Sequence, residues 1–356
     1  MPKLISQRMR LVAALISMLG CGTAWALVDV VDRPSITSER AAQSLLLAVT
    51  RAGHRLVAVG ERGIALLSDD NGKSWRQARV PVSVTLTSVR FVDEKDGWIT
   101  GHSGVLLHTT DGGETWSKRL DGSAVAMIVL DAELAKGAAA EPAQIAEARR
   151  LVADGPDKPL LDVCFLSQHV GFVVGAYGLF LRTEDGGKTW SPWQSRLQNL
   201  KGRHLTRIAS LSRELYLVGE QGVAYLSTDA GNTFKELKSP YRGSFFGVVA
   251  LSSDEVVIYG LRGNAFRVGR HGGKWTKLTS PVPVTYAAST RLASGETIIA
   301  SQTGDLLRSA DGGASLVPAQ APIHTLTAAI AEAADGSLIV AGRGISRLFL
   351  NGGVSR

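Results

Sequence analysis

The stretch TTDGGETW, residues 109–116, recurs along the chain in altered forms. The related stretches are SDDNGKSW at 68–75, TEDGGKTW at 183–190, STDAGNTF at 227–234 and SADGGASL at 309–316. Their shared acidic residues, spaced by 41, 74, 44 and 82 positions, are Asp70, Asp111, Asp185, Asp229 and Asp311. The last interval divides at His271, and a further step of 40 reaches Asn351. The sequence therefore contains seven repeats of about 40 residues.

A turn glycine accompanies each repeat and precedes the aligned position by seven residues, or by eight in the fifth repeat. These glycines are Gly63, Gly104, Gly178, Gly222, Gly263, Gly304 and Gly344. Short β-rich runs such as RLVAVG and GFVVG precede them, and other runs precede those in turn. Four short strands in each repeat are typical of a β-propeller blade. The sequence thus predicts an all-β, seven-bladed β-propeller.

The seventh repeat lacks room for a fourth strand, because only five residues follow Asn351. The segment LVDVVDRPS, residues 27–35, precedes the first complete repeat and can supply that strand. Pairing it with the seventh blade would remove two exposed sheet edges. We therefore predict a ring closed by the N-terminal strand.

The acidic turns are predicted to be structural rather than catalytic. A short carboxylate at the third position can accept hydrogen bonds from backbone N–H groups across the turn. The glycine at the fifth position adopts the positive φ that the turn requires. The closing aromatic residue can pack against a neighbouring blade. Since an enzyme does not need seven copies of one catalytic acid, we interpret Asp70, Asp111, Asp185, Asp229 and Asp311 as turn-forming residues.

The repeated turn resembles the Asp-box, or BNR, repeat of sialidases and other propellers. The longer pattern VGAYGLFLRTEDGGKTW, residues 174–190, resembles the photosystem II stability and assembly factors and their relatives in non-photosynthetic bacteria. The resemblance covers residues 27–356. It implies a non-catalytic scaffold that assists a membrane protein complex, with a photosystem II reaction centre or an envelope transporter as the partner.

The first 26 residues have the organisation of a secretory signal peptide. A basic start is followed by the apolar run LVAALISMLG and by small residues ending at Ala26. We expect export to the periplasm, or to the thylakoid lumen in a photosynthetic source. Lipoprotein processing at Cys21 is the less favoured alternative. Removal of Lys3, Arg8 and Arg10 lowers the net charge from +7 to +4, which does not favour nucleic-acid binding.

The face opposite the Asp turns is the predicted binding surface. The residues that precede four of the turn glycines, and that we expect to bind the partner, are Arg62, Tyr177, Arg262 and Arg343. An insertion at 121–158 is rich in helix formers, with Pro142 at a favourable first helical position. It predicts two short helices on this face. Alternatively, the insertion only covers apolar surface and the arginines are solvated.

A sialidase-like glycoside hydrolase or a secreted glycan-binding propeller is the alternative function. The expected channel strands LLLAVT (45–50), FFGVVA (245–250) and LTAAIA (326–331) are apolar and hydroxylic, and Asp162 is the one acidic candidate. The scattered histidines have no metal-ligand spacing, so neither a metal nor a cofactor is expected. Cys164 lies in an apolar run and is interpreted as a small buried residue. We expect a monomer without a membrane span.

Overall fold

A computed structural model describes residues 29–199, 201–211, 214–252, 254–309, 315–319 and 323–350. These residues form seven antiparallel sheets, each built from strands that are consecutive in the chain. Six sheets have four strands and the seventh has three among the described residues. The predicted seven-bladed β-propeller is confirmed.

The strands of each blade run outward from the propeller axis in chain order. Blades one to three contain β1 (Leu46–Ala52), β2 (Arg55–Gly60), β3 (Ala65–Ser68), β4 (Arg76–Gln77), β5 (Leu86–Phe91), β6 (Gly97–Gly101), β7 (Leu106–Thr109), β8 (Ser117–Leu120), β9 (Leu160–Phe165), β10 (Gly171–Gly175), β11 (Phe180–Thr183) and β12 (Ser191–Pro192). Blades four and five contain β13 (Leu205–Leu211), β14 (Glu214–Gly219), β15 (Ala224–Ser227), β16 (Lys235–Glu236), β17 (Phe245–Ala250), β18 (Glu255–Gly260), β19 (Ala265–Gly269) and β20 (Trp275–Lys277). Blades six and seven contain β21 (Tyr286–Arg291), β22 (Thr297–Ser301), β23 (Leu306–Ser309), β24 (Val317–Pro318), β25 (Thr327–Glu332), β26 (Leu338–Gly342) and β27 (Gly344–Leu348).

Two α-helices interrupt the repeat between blades two and three. They are α1 (Gly122–Leu134) and α2 (Pro142–Asp154), with Pro142 at the first helical position. The Asp121 side chain caps α1 by accepting a hydrogen bond from the Ala124 N–H at 3.1 Å. Proline suits the start of α2 because the first helical N–H has no partner within the helix. The helical insert predicted from composition is confirmed.

The seven innermost strands pack side by side around the axis. Each of them contacts the innermost strands of both neighbouring blades, including β1 with β25, so the ring is complete. The second strands are buried almost throughout, for example in β6 and β10. Apolar clusters fill the spaces between adjacent blades; one of them joins Leu56 of blade one to Ile339 of blade seven. Burial of these apolar surfaces is the main force that holds the blades together.

The N-terminal strand that we predicted to close the ring is not detected among the described residues. In the part of the 27–35 segment that the structure describes, residues 29–35, there is no strand paired with blade seven. This segment lies along the outer part of blade one instead, where Ser83 N donates to Val30 O at 2.8 Å and Ser35 N to Val80 O at 3.0 Å. Further along the chain, the Ser44 carbonyl oxygen accepts a hydrogen bond from the Gly344 N–H of blade seven at 3.0 Å. Side-by-side packing of β1 and β25 therefore closes the ring.

A β-bulge occurs at the second residue of every innermost strand. In β1, for example, Leu46 pairs with Gly60 and Ala48 with Val59, which leaves Leu47 unpaired. The seven bulged residues are Leu47, Thr87, Leu161, Thr206, Phe246, Ala287 and Ala328. All seven line a cavity on the propeller axis. The bulge thus directs one side chain from each blade into the central channel.

The Asp turns are closed by a shared set of hydrogen bonds. Asp185 accepts from Thr183 Oγ1 at 2.8 Å, from Thr189 N at 2.9 Å and from Thr189 Oγ1 at 2.6 Å. Asp70, Asp111 and Asp229 accept the equivalent bonds in their own turns. The fifth acidic residue, Asp311, lies outside the described residues. The closing aromatics pack on the preceding blade, as Trp190 does against Trp98.

The hydrogen bonds of Asp185 make its contribution to stability depend on pH. The Thr189 hydroxyl and then its backbone N–H lower the pKa of Asp185 from 3.8 to about 2. A pKa lowered by folding contributes stability above the unfolded pKa, which is lost as the pH falls through the folded pKa. The difference in unfolding free energy between wild type and Asp185→Asn should be constant above about pH 5 and decrease between about pH 4 and 2. Urea titrations at several pH values measure it; a difference independent of pH would contradict this assignment.

The turn glycines should tolerate a methyl group poorly. Gly222 has φ 77°, and a Cβ there would overlap the carbonyl oxygen of Tyr241. Gly295 has φ 90°, but no atom lies within 4 Å of its Cβ position. Gly295→Ala is therefore a matched control for backbone strain alone, about 1–2 kcal/mol. Gly222→Ala should reduce the unfolding free energy by more than Gly295→Ala does, because the new methyl group also overlaps the Tyr241 carbonyl oxygen. Equal losses for both variants would contradict this overlap.

Candidate functional site

The turns between the second and third strands form one face of the propeller, here called the glycine-turn face. In five blades the residue before the turn glycine has a left-handed backbone with φ of 54–56°: Arg62, Ser103, Tyr177, Gln221 and Arg262. Non-glycine residues seldom adopt this conformation, and it adds backbone strain. All five residues are at least partly exposed to solvent. The turn therefore presents a side chain outward at some cost in backbone energy.

The four predicted partner-binding residues are all exposed on this face. They are Arg62 in blade one, Tyr177 in blade three, Arg262 in blade five and Arg343 in blade seven. Blades seven and one are neighbours, so Arg343 and Arg62 belong to adjacent blades. Tyr177 stands apart from the arginines and is 60% exposed. The set is thus spread around the rim rather than gathered in one cluster.

Tyr177 has two neighbours that the sequence did not identify. The Lys158 ammonium lies over the tyrosine ring, 5.2 Å from its centroid. The His204 ring lies on another side, with 5.0 Å between the ring centroids. Lys158 is at the end of the insertion and His204 just precedes β13. Both are far from Tyr177 in the sequence, so their contacts with the tyrosine ring could not be predicted from the motif. An exposed aromatic ring flanked by a cation is a suitable surface for a peptide partner.

The helical insert lies beside the channel rather than over it. Helix α1 contacts the His102–Gly104 turn of blade two and strand β12 of blade three. Val125 is 2% exposed and shares an apolar cluster with Leu160 and Leu179. No insert residue is among the described residues that line the channel. The insert therefore widens the glycine-turn face at its periphery and leaves the channel open.

The central channel contains a cavity of about 410 Å³. The seven bulged residues surround it, together with residues further along the innermost strands. Each bulge lies near the start of the innermost strand, which pairs with the end of the second strand, as Leu46 does with Gly60. The glycine turn directly follows that end of the second strand. The cavity is therefore nearest to the glycine-turn face.

Two arginines and one carboxylate form an ionic cluster in the channel wall. Asp162 is fully buried in blade three, and its Oδ1 lies 3.7 Å from Arg90 Nε in blade two and 3.5 Å from Arg207 Nη1 in blade four. Ser88 Oγ donates to Asp162 Oδ1 at 2.6 Å, and the Ile208 N–H donates to Oδ2 at 3.1 Å. Asp162 is the acidic candidate predicted from the sequence, whereas neither arginine was predicted to line the channel. Alternation along β5 and β13 could have located them if the bulges had been known.

The environment of Asp162 differs from that of a glycosidase acid. Most glycosidases use two carboxyl groups at the substrate, separated by roughly 5–9.5 Å, whereas sialidases use a tyrosine nucleophile together with carboxyl groups. Among the described residues lining the cavity there is no carboxylate, because Asp162 lies behind the arginines. Partial desolvation in the channel wall lowers the pKa of Arg90 and the Asp162 carboxylate opposes that effect, while a guanidinium remains charged in any case.

Cys164 lies two residues further along β9 as a free, half-buried thiol. Burial, followed by the effect of Asp162, raises the pKa of this thiol from 9.0 to about 11. The reactive species is the thiolate, so Cys164 is poorly suited to be a nucleophile at neutral pH.

No group of three or more metal-ligating side chains occurs in the described ranges. Within the same ranges, the helices are too short or too polar to cross a bilayer.

The chain matches a known protein family over most of its length. Residues 43–137 and 142–319 match the family model described as photosynthesis system II assembly factor YCF48. The photosystem II assembly lipoprotein Ycf48 of Synechococcus sp. (strain CC9902) is 25% identical over 160 residues. That alignment covers 44% of this chain and 38% of the relative, so the two chains match over less than half of their lengths. The resemblance inferred from the repeated motif is confirmed.

Solved structures share the fold at low sequence identity. One is titled YCF48 bound to D1 peptide; it has a TM-score of 0.64 and 17% identity, and the superposition covers 88% of this chain and 95% of that one. Another is the virginiamycin B lyase of Staphylococcus aureus, with a TM-score of 0.66 and 13% identity over 89% of this chain and 98% of the lyase. The same propeller architecture therefore occurs in binding proteins and in enzymes.

The raised pKa of Cys164 predicts slow thiol chemistry. In a protein without Cys21, the folded chain should contain about a hundredfold less thiolate near pH 8 than a thiol with a pKa of 9.0. Reaction with a coloured disulfide reagent should be slower than that of a small free thiol by at least this factor. Reaction in concentrated urea is the control and should be fast. Equal rates for the folded and unfolded chains would contradict the burial of this thiol.

Proposed function

Because the chain belongs to the photosynthesis system II assembly factor YCF48 family, we propose that it is a non-catalytic scaffold that binds a membrane-protein subunit through its glycine-turn face. The residues proposed to make the contact are Arg62, Tyr177, Arg262 and Arg343, together with the helical insert at 121–158. The partner is a segment of a reaction-centre subunit in a photosynthetic source, or of an envelope transporter in a non-photosynthetic one.

The observation that carries the proposal is the exposure of cationic side chains on one face. Arg62, Arg262 and Arg343 lie in the turns between the second and third strands of their blades and are exposed to solvent, although the turn of blade seven is shorter than the other two. Arginine can form several hydrogen bonds with carboxylates or backbone carbonyls, and exposed arginine and tyrosine often dominate binding energies. A rim that carries these residues on rigid turns suits an extended or acidic peptide segment.

The structure titled YCF48 bound to D1 peptide supports a peptide as the ligand class. That neighbour has the same fold and contains a bound peptide. Rigid hairpin turns on a closed ring would be arranged before the partner arrives, so little conformational entropy would be lost on binding. We therefore propose recognition without large movement of the blades.

A glycoside hydrolase of the sialidase type is the second candidate, favoured by the shared Asp boxes and by the enzymes among the structural neighbours. Against it, Asp162 is buried and engaged with Arg90, Arg207 and Ser88. No second carboxylate lies beside it in the described channel lining. We therefore favour binding over hydrolysis.

We also propose that the protein acts outside the cytoplasm, in the periplasm or thylakoid lumen, after removal of residues 1–26. These residues lie outside the described part of the chain. The Synechococcus relative is named a lipoprotein, which keeps processing at Cys21 as the alternative.

The proposed binding face can be tested by charge reversal. The triple variant Arg62→Glu, Arg262→Glu, Arg343→Glu should bind a fluorescent D1-derived peptide at least tenfold more weakly than the wild type, because several favourable charge contacts become repulsive. Fluorescence anisotropy at fixed ionic strength measures the affinity. Charge reversal is preferable to deletion of 121–158, because deletion would expose the apolar cluster beneath Val125.

A second triple variant controls for the change in net charge. Arg51, Lys188 and Arg291 are exposed near the Asp turns on the opposite face. Their replacement by glutamate changes the net charge by the same amount and should leave peptide affinity within about twofold of the wild type. Equal losses in both triple variants would reject the assigned face, and so would unchanged binding in the first.

A further inference from the structure

Among the residues that the structure describes, the charges lining the central channel leave one positive charge without a neutralising partner. Arg90 and Arg207 both line the cavity, whereas their shared partner Asp162 is fully buried behind them. In the part of the chain that the structure describes, Asp162 is the one acidic group paired with either arginine. Two guanidinium groups against one carboxylate leave an excess of one positive charge.

Both guanidinium groups remain partly open to the cavity. The side chain of Arg90 is 41% exposed and that of Arg207 is 24% exposed, although both lie deep in the ring. Each guanidinium has five N–H donors. The contacts to Asp162, at 3.7 and 3.5 Å, and the hydrogen bond from Arg207 to the Tyr259 hydroxyl occupy only some of them. Donors directed into a confined space attract an anion more strongly than donors on an open surface.

The rest of the cavity wall is mostly apolar or hydroxylic. Leu47, Val49 and Phe246 contribute apolar surface, and Thr87 and Ser289 contribute hydroxyl groups. The volume of about 410 Å³ lies within the range of small-molecule sites, roughly 300–1,000 Å³. Such a wall with a localised positive charge fits a molecule that has an apolar body and one anionic group.

We propose that the central channel binds a small organic molecule with a single carboxylate on an apolar body. The carboxylate accepts hydrogen bonds from Arg90 and Arg207 and balances the excess charge. The apolar body lies against the side chains that the bulges direct into the channel. This site is separate from the rim residues proposed to bind the partner protein, so it does not depend on that assignment.

The carboxylate could belong to a small organic acid or to the C-terminus of a peptide, since both carry the same anionic group. The experiment distinguishes these two kinds of ligand. Isothermal titration of the mature full-length chain with hexanoate should show binding, whereas hexanamide should bind at least tenfold more weakly. Arg90→Gln and Arg207→Gln should each weaken hexanoate binding at least tenfold. A short apolar peptide with a free C-terminus, and its amidated form, provide the second pair of ligands.

A second variant tests the cavity without changing the ionic cluster. Ala287→Phe with Ala328→Phe should fill the channel from two bulge positions. Blade five already has Phe246 at the equivalent position, so the backbone accommodates an aromatic residue there. Circular dichroism and the thermal midpoint should stay close to the wild type, whereas hexanoate binding should be lost.

Three outcomes would overturn the proposal. The first is the absence of hexanoate binding at concentrations on the order of 10 mM, well above a millimolar Kd. The second is unchanged hexanoate affinity in the Ala287→Phe, Ala328→Phe variant or in both arginine variants. The third is binding of the free-terminus peptide without binding of hexanoate, which would assign the channel to a chain terminus instead of a free acid.

Discussion

The structure depends on the packing of seven innermost strands around one axis. Each innermost strand contacts both neighbours, and β1 meets β25 to complete the circle. The bulge at the second residue of every innermost strand is part of the same arrangement, since it turns one side chain per blade toward the axis. Blade closure, channel lining and the position of the glycine turns all follow from this ring. The Asp turns lie outside it and close each blade locally.

Local chemistry explains why the sequence predicted the blades well. The Asp turn needs a carboxylate, a glycine and a hydroxyl residue within one short stretch, as in 183–190. The turn can therefore be recognised from the sequence alone. The helical insert was equally visible, because Pro142 and a change in composition mark it. The closing strand is not detected among the described residues, and such pairing of distant segments is hard to predict because it depends on contacts far apart in sequence. Residues 27–35 were predicted to form this strand, and within the segment Val30 and Ser35 hydrogen-bond to the outer part of blade one.

The candidate site was predicted less completely, for a related physical reason. Arg62, Tyr177, Arg262 and Arg343 could be located because each lies next to a turn glycine. Lys158 was missed, since only folding brings it over the Tyr177 ring. Arg90 and Arg207 were missed because a bulge shifts the alternation of side chains by one residue. Simple alternation from the first strand residue therefore assigns the wrong side chains to the channel.

Asp162 connects the architecture of the ring to the chemistry of the channel. Its two oxygens contact blade two through Ser88 and Arg90, and blade four through Arg207 and the Ile208 N–H, so one buried carboxylate links three blades. A fully buried carboxylate is tolerated only when such partners compensate for its lost hydration. The same contacts hold it behind the arginines, away from the cavity. A group used in this way is poorly placed to transfer a proton to a ligand, whereas the arginines that it holds are well placed to bind an anion. The channel wall therefore favours recognition over acid catalysis, in agreement with a scaffold whose exposed rim is also cationic.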